Sequence, residues 1–301
     1  MAPGTIAAVT ARRLSWTVLA ANVIVIVGGG LVRATGSGAG CGRSWPTCQG
    51  EVLPALQGAT AIEFSHRILT VVAGLVGLAL LRAVFVEFRK GHPARKAVVV
   101  AASLFAVEGL IGRALVEGGW VADDASLARA IIVPLHLMNT FLLLAALTLT
   151  VFFVSGGTSF RLGRKAIPHL VVAVVAVAVA ATGSITALAD TLFPKDFSLG
   201  SPFATDEHFL TELRVVHPFV SVALVLAVFW LGRRMPGRAA RWAVAVAAVQ
   251  LAVGPLNVVL GTPVWLSLVH LALADAFWVT WIWALADMNR PSVDRIPSYA
   301  E

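Results

Sequence analysis

Eight long apolar runs divide the chain, at 14–33, 60–86, 97–116, 130–154, 167–189, 211–231, 240–260 and 263–286. Each has roughly the 20 residues a helix needs to cross ~30 Å of hydrocarbon. The pattern therefore predicts an all-α membrane protein with eight transmembrane helices. Composition agrees: 58% of residues are apolar, 13% are charged, and the mean hydropathy is +0.85, which excludes a soluble domain. The first run, preceded by Arg12 and Arg13, is too long for a signal-peptide core and lacks a clear cleavage site, so it reads as a retained helix. No Arg- and Ser-rich transit segment precedes it, which points to a bacterial plasma membrane rather than an organelle.

The polar connections alternate in sign. One set holds Arg12 and Arg13; Arg89, Lys90, Arg95 and Lys96; Arg161, Arg164 and Lys165; Arg233, Arg234, Arg238 and Arg241; and Arg290 and Arg295, which is 15 of the 23 basic residues. The other set carries Glu117, Asp123, Asp124, Asp190, Asp196, Asp206 and Glu207. Basic loops stay on the cytoplasmic side, so both termini are expected there. The same asymmetry accounts for the net charge of +7 without nucleic acid.

In that orientation four histidines stand near the outer heads of inward-running spans: His66, His136, His217 and His270 on spans two, four, six and eight. His92, His169 and His208 read as interfacial or solvated. Glu63 and Arg67 flank His66, and Glu63 shares its helix face three residues away. Ionisable groups in lipid are costly and usually mark a site facing the bundle interior. Glu212, Arg214 and His217 form a looser version of this cluster 151 residues later.

The halves repeat in order. Thr35-Gly36-Ser37 matches Thr182-Gly183-Ser184, Glu108-x-x-x-Gly112 matches Gln250-x-x-x-Gly254, and His136-Leu137 matches His270-Leu271, at offsets of 147, 142 and 134 residues. An even number of spans per half implies a parallel repeat about an axis along the membrane normal. The expectation is two pseudo-symmetric four-helix bundles, residues 1–157 and 158–301, each with two inward histidines.

Imidazole is the usual axial ligand of b-type heme, supplied from opposing helices. Pairing His66 with His136 and His217 with His270 would hold two hemes. A lone membrane histidine is more often a hydrogen-bonded packing group, but four at one depth, paired by a repeat, favour heme. Zinc fits less well, because carboxylates and thiolates are not clustered beside all four. Gly28-Gly29-Gly30 and Gly109 with Gly112 suit either a large planar guest or close helix packing. Arg33, Arg67, Arg113 and Arg214 are candidates for contacting heme propionates, with snorkelling to headgroups as the alternative. Cys41 and Cys48, the only cysteines, face the oxidising side, where a disulfide is expected; it would staple the loop or take part in redox chemistry.

Val32-Arg33-Ala34-Thr35-Gly36-Ser37-Gly38, then Cys41, Trp45-Pro46, Cys48 and Glu63-x-x-His66-Arg67 resemble the heme A synthase family of bacterial respiratory assembly. His136, Thr182-Gly183-Ser184, His217 and His270 extend the resemblance over nearly the whole chain. It implies oxidation of the C8 methyl group of heme O to the formyl group of heme A. It also implies substrate heme O in the first bundle, at His66 and His136, and resident heme B in the second, at His217 and His270. That division of labour follows from the resemblance alone. Heme O synthase and cytochrome oxidase assembly factors are the implied partners. Glu63 is then the expected catalytic residue, leaning over the heme edge to move protons or stabilise a cationic intermediate; a structural ion pair with Arg67 or Arg33 is its alternative. Three features depart from the family pattern: Pro218 replaces the arginine expected after His217, Glu108 stands where glutamine is expected, and the third outer loop has no cysteines.

Two other classes compete with an enzyme. A di-heme b-type electron-transfer cytochrome would bind both hemes permanently and give Glu63 no chemical task. A secondary transporter is suggested by the repeat, yet transporter sites lie at the midplane between broken helices, whereas these histidines lie toward one surface. The orientation is testable by itself. A cysteine replacing His92 should react with a membrane-impermeant thiol reagent only from the cytoplasmic side; labelling from outside would reverse the topology.

Overall fold

The computed structural model describes residues 3–157, 163–194 and 208–290, with side chains from Thr10 onward. Arg161, Asp196, Asp206, Glu207 and Arg295 lie outside the described residues. The described chain is helical, with no β-strand beyond an isolated bridge between Cys48 and Glu51. Its helices are α1 (Pro3–Ala34), α2 (Gly58–Glu87), α3 (Pro93–Gly118), α4 (Leu127–Val154), α5 (Ile167–Leu192), α6 (Phe209–Leu213), α7 (Val216–Gly232), α8 (Arg238–Val259) and α9 (Val264–Met288). Eight segments are long and apolar enough to cross a membrane, with α6 and α7 together making the sixth, Phe209–Gly232.

Helices α1 to α4 pack in a closed ring, each on its neighbours and α1 on α4; α5, α7, α8 and α9 close a second ring in the same order. Between the rings α4 meets α9, α1 meets α5, and the cross pairs α1 with α9 and α4 with α5 also touch. Those contacts are what a two-fold axis along the membrane normal exchanges, and they make this fold two pseudo-symmetric four-helix bundles. The seam is held by backbone-directed bonds. Trp278 Nε1 donates to the Phe141 carbonyl at 2.6 Å, and Arg33 Nη1 donates to the Ala187 carbonyl and the Thr191 hydroxyl at 2.6 and 2.8 Å. Gly30 lets α9 approach α1, since a Cβ there would sit 2.7 Å from the Leu271 side chain. Helix α4, on the seam, is the most buried of the spans.

The sixth span is not one continuous helix. Proline has no N–H, so Pro218 cannot bond to the carbonyl four residues back. That carbonyl belongs to Arg214, at the break between α6 and α7. The Thr186 hydroxyl of α5 lies 3.3 Å from it and 3.1 Å from the Thr182 carbonyl of its own helix, so its one proton serves both, where lipid offers no partner for a free carbonyl. The break therefore lies immediately before His217. At the far end of the molecule His92 caps α3, its Nδ1 accepting from the Ala94 N–H at 3.3 Å. Partial burial, aided by Arg89, holds the His92 pKa below its ordinary value, which keeps the ring an acceptor.

Removing the Thr186 donor should cost about 1 kcal/mol. Thr186→Val is expected to melt earlier in detergent, and adding Pro218→Ala, which restores the main-chain donor, should recover most of the loss. Equal melting of Thr186→Val and the unaltered protein would show that the break does not depend on this bond.

Candidate functional site

His66, His136, His217 and His270 lie six to nine residues into spans that begin at Gly58, Leu127, Phe209 and Val264. These are alternate spans of an up-and-down array, so all four rings occupy one end of it, roughly 9–14 Å along their helices. It is the end that carries the Cys41–Cys48 disulfide. Two of the rings belong to each bundle: His66 on α2 and His136 on α4 in the first, His217 on α7 and His270 on α9 in the second.

Three of these rings lie against a helix that has no side chain at the point of contact. A Cβ on Gly28 or Gly29 of α1 would come within 3.4 and 3.2 Å of the His66 ring. One on Gly183 of α5 would meet the His217 ring at 2.9 Å, and one on Gly254 of α8 the His270 ring at 3.3 Å. This pattern corrects the sequence repeat. Thr35-Gly36-Ser37 is not the counterpart of Thr182-Gly183-Ser184: α1 has ended at Ala34, and Gly36 turns the chain with φ +66° and nothing near its Cβ direction. The counterpart by contact is Gly28-Gly29-Gly30, at an offset of 154 residues rather than 147. On that register Arg33 is equivalent to Ala187, whose carbonyl it binds, so the two positions meet near the pseudo-axis. Gly109 and Gly112, expected to make room for a guest or a helix, face open space.

The polar atoms around the rings differ between halves. Glu108 of α3 lies across α4, with Oε1 3.4 Å from His136 Nδ1 and its carboxylate hydrogen-bonded by Asn139 Nδ2 and Thr140 Oγ1. In the equivalent place Gln250 Nε2 is 3.2 Å from His270 Nε2. His217 Nδ1 is 3.1 Å from the Thr182 hydroxyl and 3.5 Å from that of Ser221. Sequence reasoning missed Asn139, Thr140 and Ser221, and singled out Thr182 only within the repeated Thr-Gly-Ser motif. A signal was present: a hydroxyl four residues after the histidine, as in Thr70, Thr140 and Ser221. Thr70 returns a bond to the carbonyl of its own histidine, whereas the Thr140 hydroxyl lies between the His136 carbonyl and the closer Glu108 carboxylate.

Glu63 is buried, at 3% exposure, and its partners lie on the loop and on its own helix. Oε2 accepts from the Cys41 backbone N–H at 2.8 Å, and Oε1 pairs with Arg67 Nη2 at 2.5 Å. Arg67 Nη1 also donates to the carbonyls of Ser44 and Thr47, at 2.8 and 2.7 Å. Glu63 and Arg67 thus grip the ring of chain that the disulfide closes. Gly40 brings that loop onto α2, because any Cβ there would fall inside the Ala59 backbone, and its carbonyl accepts from Thr60 and Gln49 at 2.8 Å each.

The four arginines are dispersed. Arg67 serves the loop, and Arg33 crosses to α5. Arg214 pairs with Asp190 at 3.0 Å. Arg113 pairs with Glu117 at 2.9 Å and lies 5.5 Å above the Trp45 ring. His169, expected at an interface, is buried, and its carbonyl accepts from Trp281 Nε1 at 3.2 Å. His208 caps α6 through the Leu210 N–H at 3.3 Å.

A bis-imidazole heme suits this donor set. Nδ1 of His66 and His270 is buried without a hydrogen-bond partner among the described residues, and His136 Nδ1 has the Glu108 carboxylate at 3.4 Å; each bundle thus supplies two imidazoles, the ligands such iron takes. Among the described residues no three His, Cys, Asp or Glu side chains converge as a metal-ion cage.

The grip of Glu63 on the loop can be tested without reference to activity. Glu63→Ala removes the acceptor of a buried N–H, worth about 1 kcal/mol or somewhat more. Hydrogen exchange at the Cys41 amide should then accelerate roughly tenfold, while Glu63→Gln, which keeps an acceptor, should change it less. Unaltered exchange in Glu63→Ala would show the loop to be held by other contacts.

Comparison with known proteins adds an independent line. A protoheme IX farnesyltransferase of Thermus thermophilus is 42% identical over 297 residues, covering 94% of this chain and 49% of that protein. A heme A synthase of Bacillus licheniformis is 34% identical over 159 residues, 50% of this chain and 49% of that one. A heme A synthase of Lysinibacillus sphaericus is 30% identical over 226 residues, 72% of this chain and 71% of that one. The chain spans about half the length of the Thermus thermophilus relative, and the match to the Bacillus licheniformis one covers about half of each protein. The family described as Cytochrome oxidase assembly protein, COX15-CtaA, matches residues 12–282. The chain belongs to that family.

Proposed function

We propose that this protein is a heme A synthase of the bacterial plasma membrane, oxidising the C8 methyl group of heme O to the formyl group of heme A. The observation that carries the reading is two paired-histidine sites at one end of the helix array, of which only the first is roofed by a disulfide loop gripped by Glu63 and Arg67. The relatives named heme A synthase support it.

In this reading His66 and His136 receive heme O as substrate, and His217 and His270 hold heme B. A resident b-type heme supplies one-electron transfer when bound. The chain's own residues do the rest. Gly28, Gly29, Gly183 and Gly254 let three rings come close against neighbouring helices. Converting a methyl to a formyl group releases protons and adds an oxygen, so a proton acceptor is needed at the substrate's edge. Glu63 is assigned that role, because it lies one turn from His66 and keeps acceptor capacity beyond its bonds to Arg67 and Cys41. Its ion pair with Arg67 is part of the placement and does not replace the role. The disulfide loop excludes water above the site. With the arginines engaged by protein partners, Arg67 and Arg214 remain the propionate candidates nearest their own bundle's histidines in sequence. The C-terminal bundle, the cytoplasmic termini and the outward-facing sites complete the reading. A relative named protoheme IX farnesyltransferase, twice as long as its matched segment, supports partnership with the prenyl transfer that makes heme O.

A di-heme cytochrome is the second reading, favoured by the similar glycine seats in both halves. Pigment extraction separates the two. Purified protein expressed with a heme O supply should yield heme B with heme O or heme A; heme B alone would favour the cytochrome. His217→Ala or His270→Ala should remove the low-spin heme B spectrum. Glu63→Gln should retain both pigments but stop conversion, so that heme O accumulates; ordinary heme A yield would return Glu63 to architecture.

A further inference from the structure

The two halves differ in the group set behind the histidines of the fourth and eighth spans. Glu108 and Gln250 occupy equivalent positions on α3 and α8, one beside His136 and the other beside His270. A carboxylate only accepts hydrogen bonds, whereas an amide can donate or accept. Glu108 therefore favours the His136 tautomer with its proton on Nδ1, 3.4 Å away, and leaves Nε2 as the basic atom. At that distance the contact is a charge–dipole interaction more than a short hydrogen bond. The carboxylate is nevertheless firmly placed, because Asn139 and Thr140, three and four residues beyond His136 on the same face of α4, both donate to it. Gln250 adds no net charge to His270: its Nε2, an amide donor, lies 3.2 Å from His270 Nε2, the other ring nitrogen from the one Glu108 faces on His136.

A carboxylate behind a ligating imidazole orients the ring and raises its basicity. A more basic axial ligand favours the oxidised iron. We propose that Glu108 is a positioning residue that makes His136 the more electron-rich donor and lowers the reduction potential of heme in the first bundle relative to the second. This rests on the reading that both histidine pairs bind heme. It gives the transfer a direction: electrons leaving the first site pass downhill to the second, and the carboxylate–amide difference contributes to the slope.

The test is a spectroelectrochemical titration of purified protein in a Glu63→Gln background loaded with heme O, with each signal assigned by His136→Ala and His270→Ala. Glu108→Gln should raise the potential of the first-bundle heme, by about 59 mV for each tenfold change in the preference for oxidised iron, with the second unchanged. Gln250→Glu should lower the potential of the second-bundle heme, which tests the idea in the other half should Glu108→Gln fail to fold. Glu108→Asp should shift the potential less than Glu108→Gln does. Both hemes bound with potentials unmoved by Glu108→Gln, or by Gln250→Glu where only that variant folds, would overturn the inference. Absence of any heme signal that depends on His136 would instead overturn the reading on which it rests.

Discussion

Close approach of a bare helix to an imidazole ring is the constraint on which the arrangement depends. At Gly29, Gly183 and Gly254 an added Cβ would lie 2.9 to 3.3 Å from a histidine ring, tighter than ordinary van der Waals contact. Lipid supplies little net force to bring apolar helices together, so packing and backbone proximity must do it. The glycines that seat the rings are therefore also among those that let α1 meet α2, α5 meet α7 and α8 meet α9. Site and bundle are one packing problem, and a residue larger than glycine at these points would disturb both.

Polar groups on the same surfaces face a stricter rule, because an unsatisfied group in hydrocarbon costs several kcal/mol, on the order of that lost by breaking a buried pair. The chain meets it with bonds that also join elements. Thr186 shares its hydroxyl with the carbonyl that Pro218 leaves free, Arg33 serves the Ala187 carbonyl and the Thr191 hydroxyl of α5, and Asp190 receives Arg214. Asp275 on α9 stands outside this pattern: it is fully buried, and neither carboxyl oxygen has a hydrogen-bond partner among the described residues.

Much of the fold was legible because it is dictated by length and polarity. All eight apolar runs became spans, with the first drawn at 14–33 against a helix through Thr10–Ala34. The interruption at Arg214 was not read, although Pro218 was in view, because a helix break depends on whether another element can serve the freed carbonyl; here Thr186 does. The repeat was legible in its histidines and misread at Thr35-Gly36-Ser37, where three identical residue types outweighed the Gly-Gly-Gly run that makes the contact. Short motifs record composition, whereas equivalence in a duplicated fold is set by which side chains meet. The destination of Arg33 was hidden for a related reason, since its partners lie more than 150 residues away in the other half.

Duplication gave both halves a similar pair of imidazoles, and the divergence is concentrated at the mouths of the sites. In the second half the mouth is tied by side chain to side chain, Arg214 to Asp190, next to a helix break. In the first it is tied by side chain to backbone: Glu63 takes the Cys41 N–H, and Arg67 takes the carbonyls of Ser44 and Thr47. Those bonds depend on the path of the loop rather than on its side chains. The disulfide between Cys41 and Cys48 holds that path. Anything that reshapes the short ring moves Cys41 away from Glu63 and the carbonyls away from Arg67 together. The path of the loop is thereby coupled to the carboxylate one turn from His66.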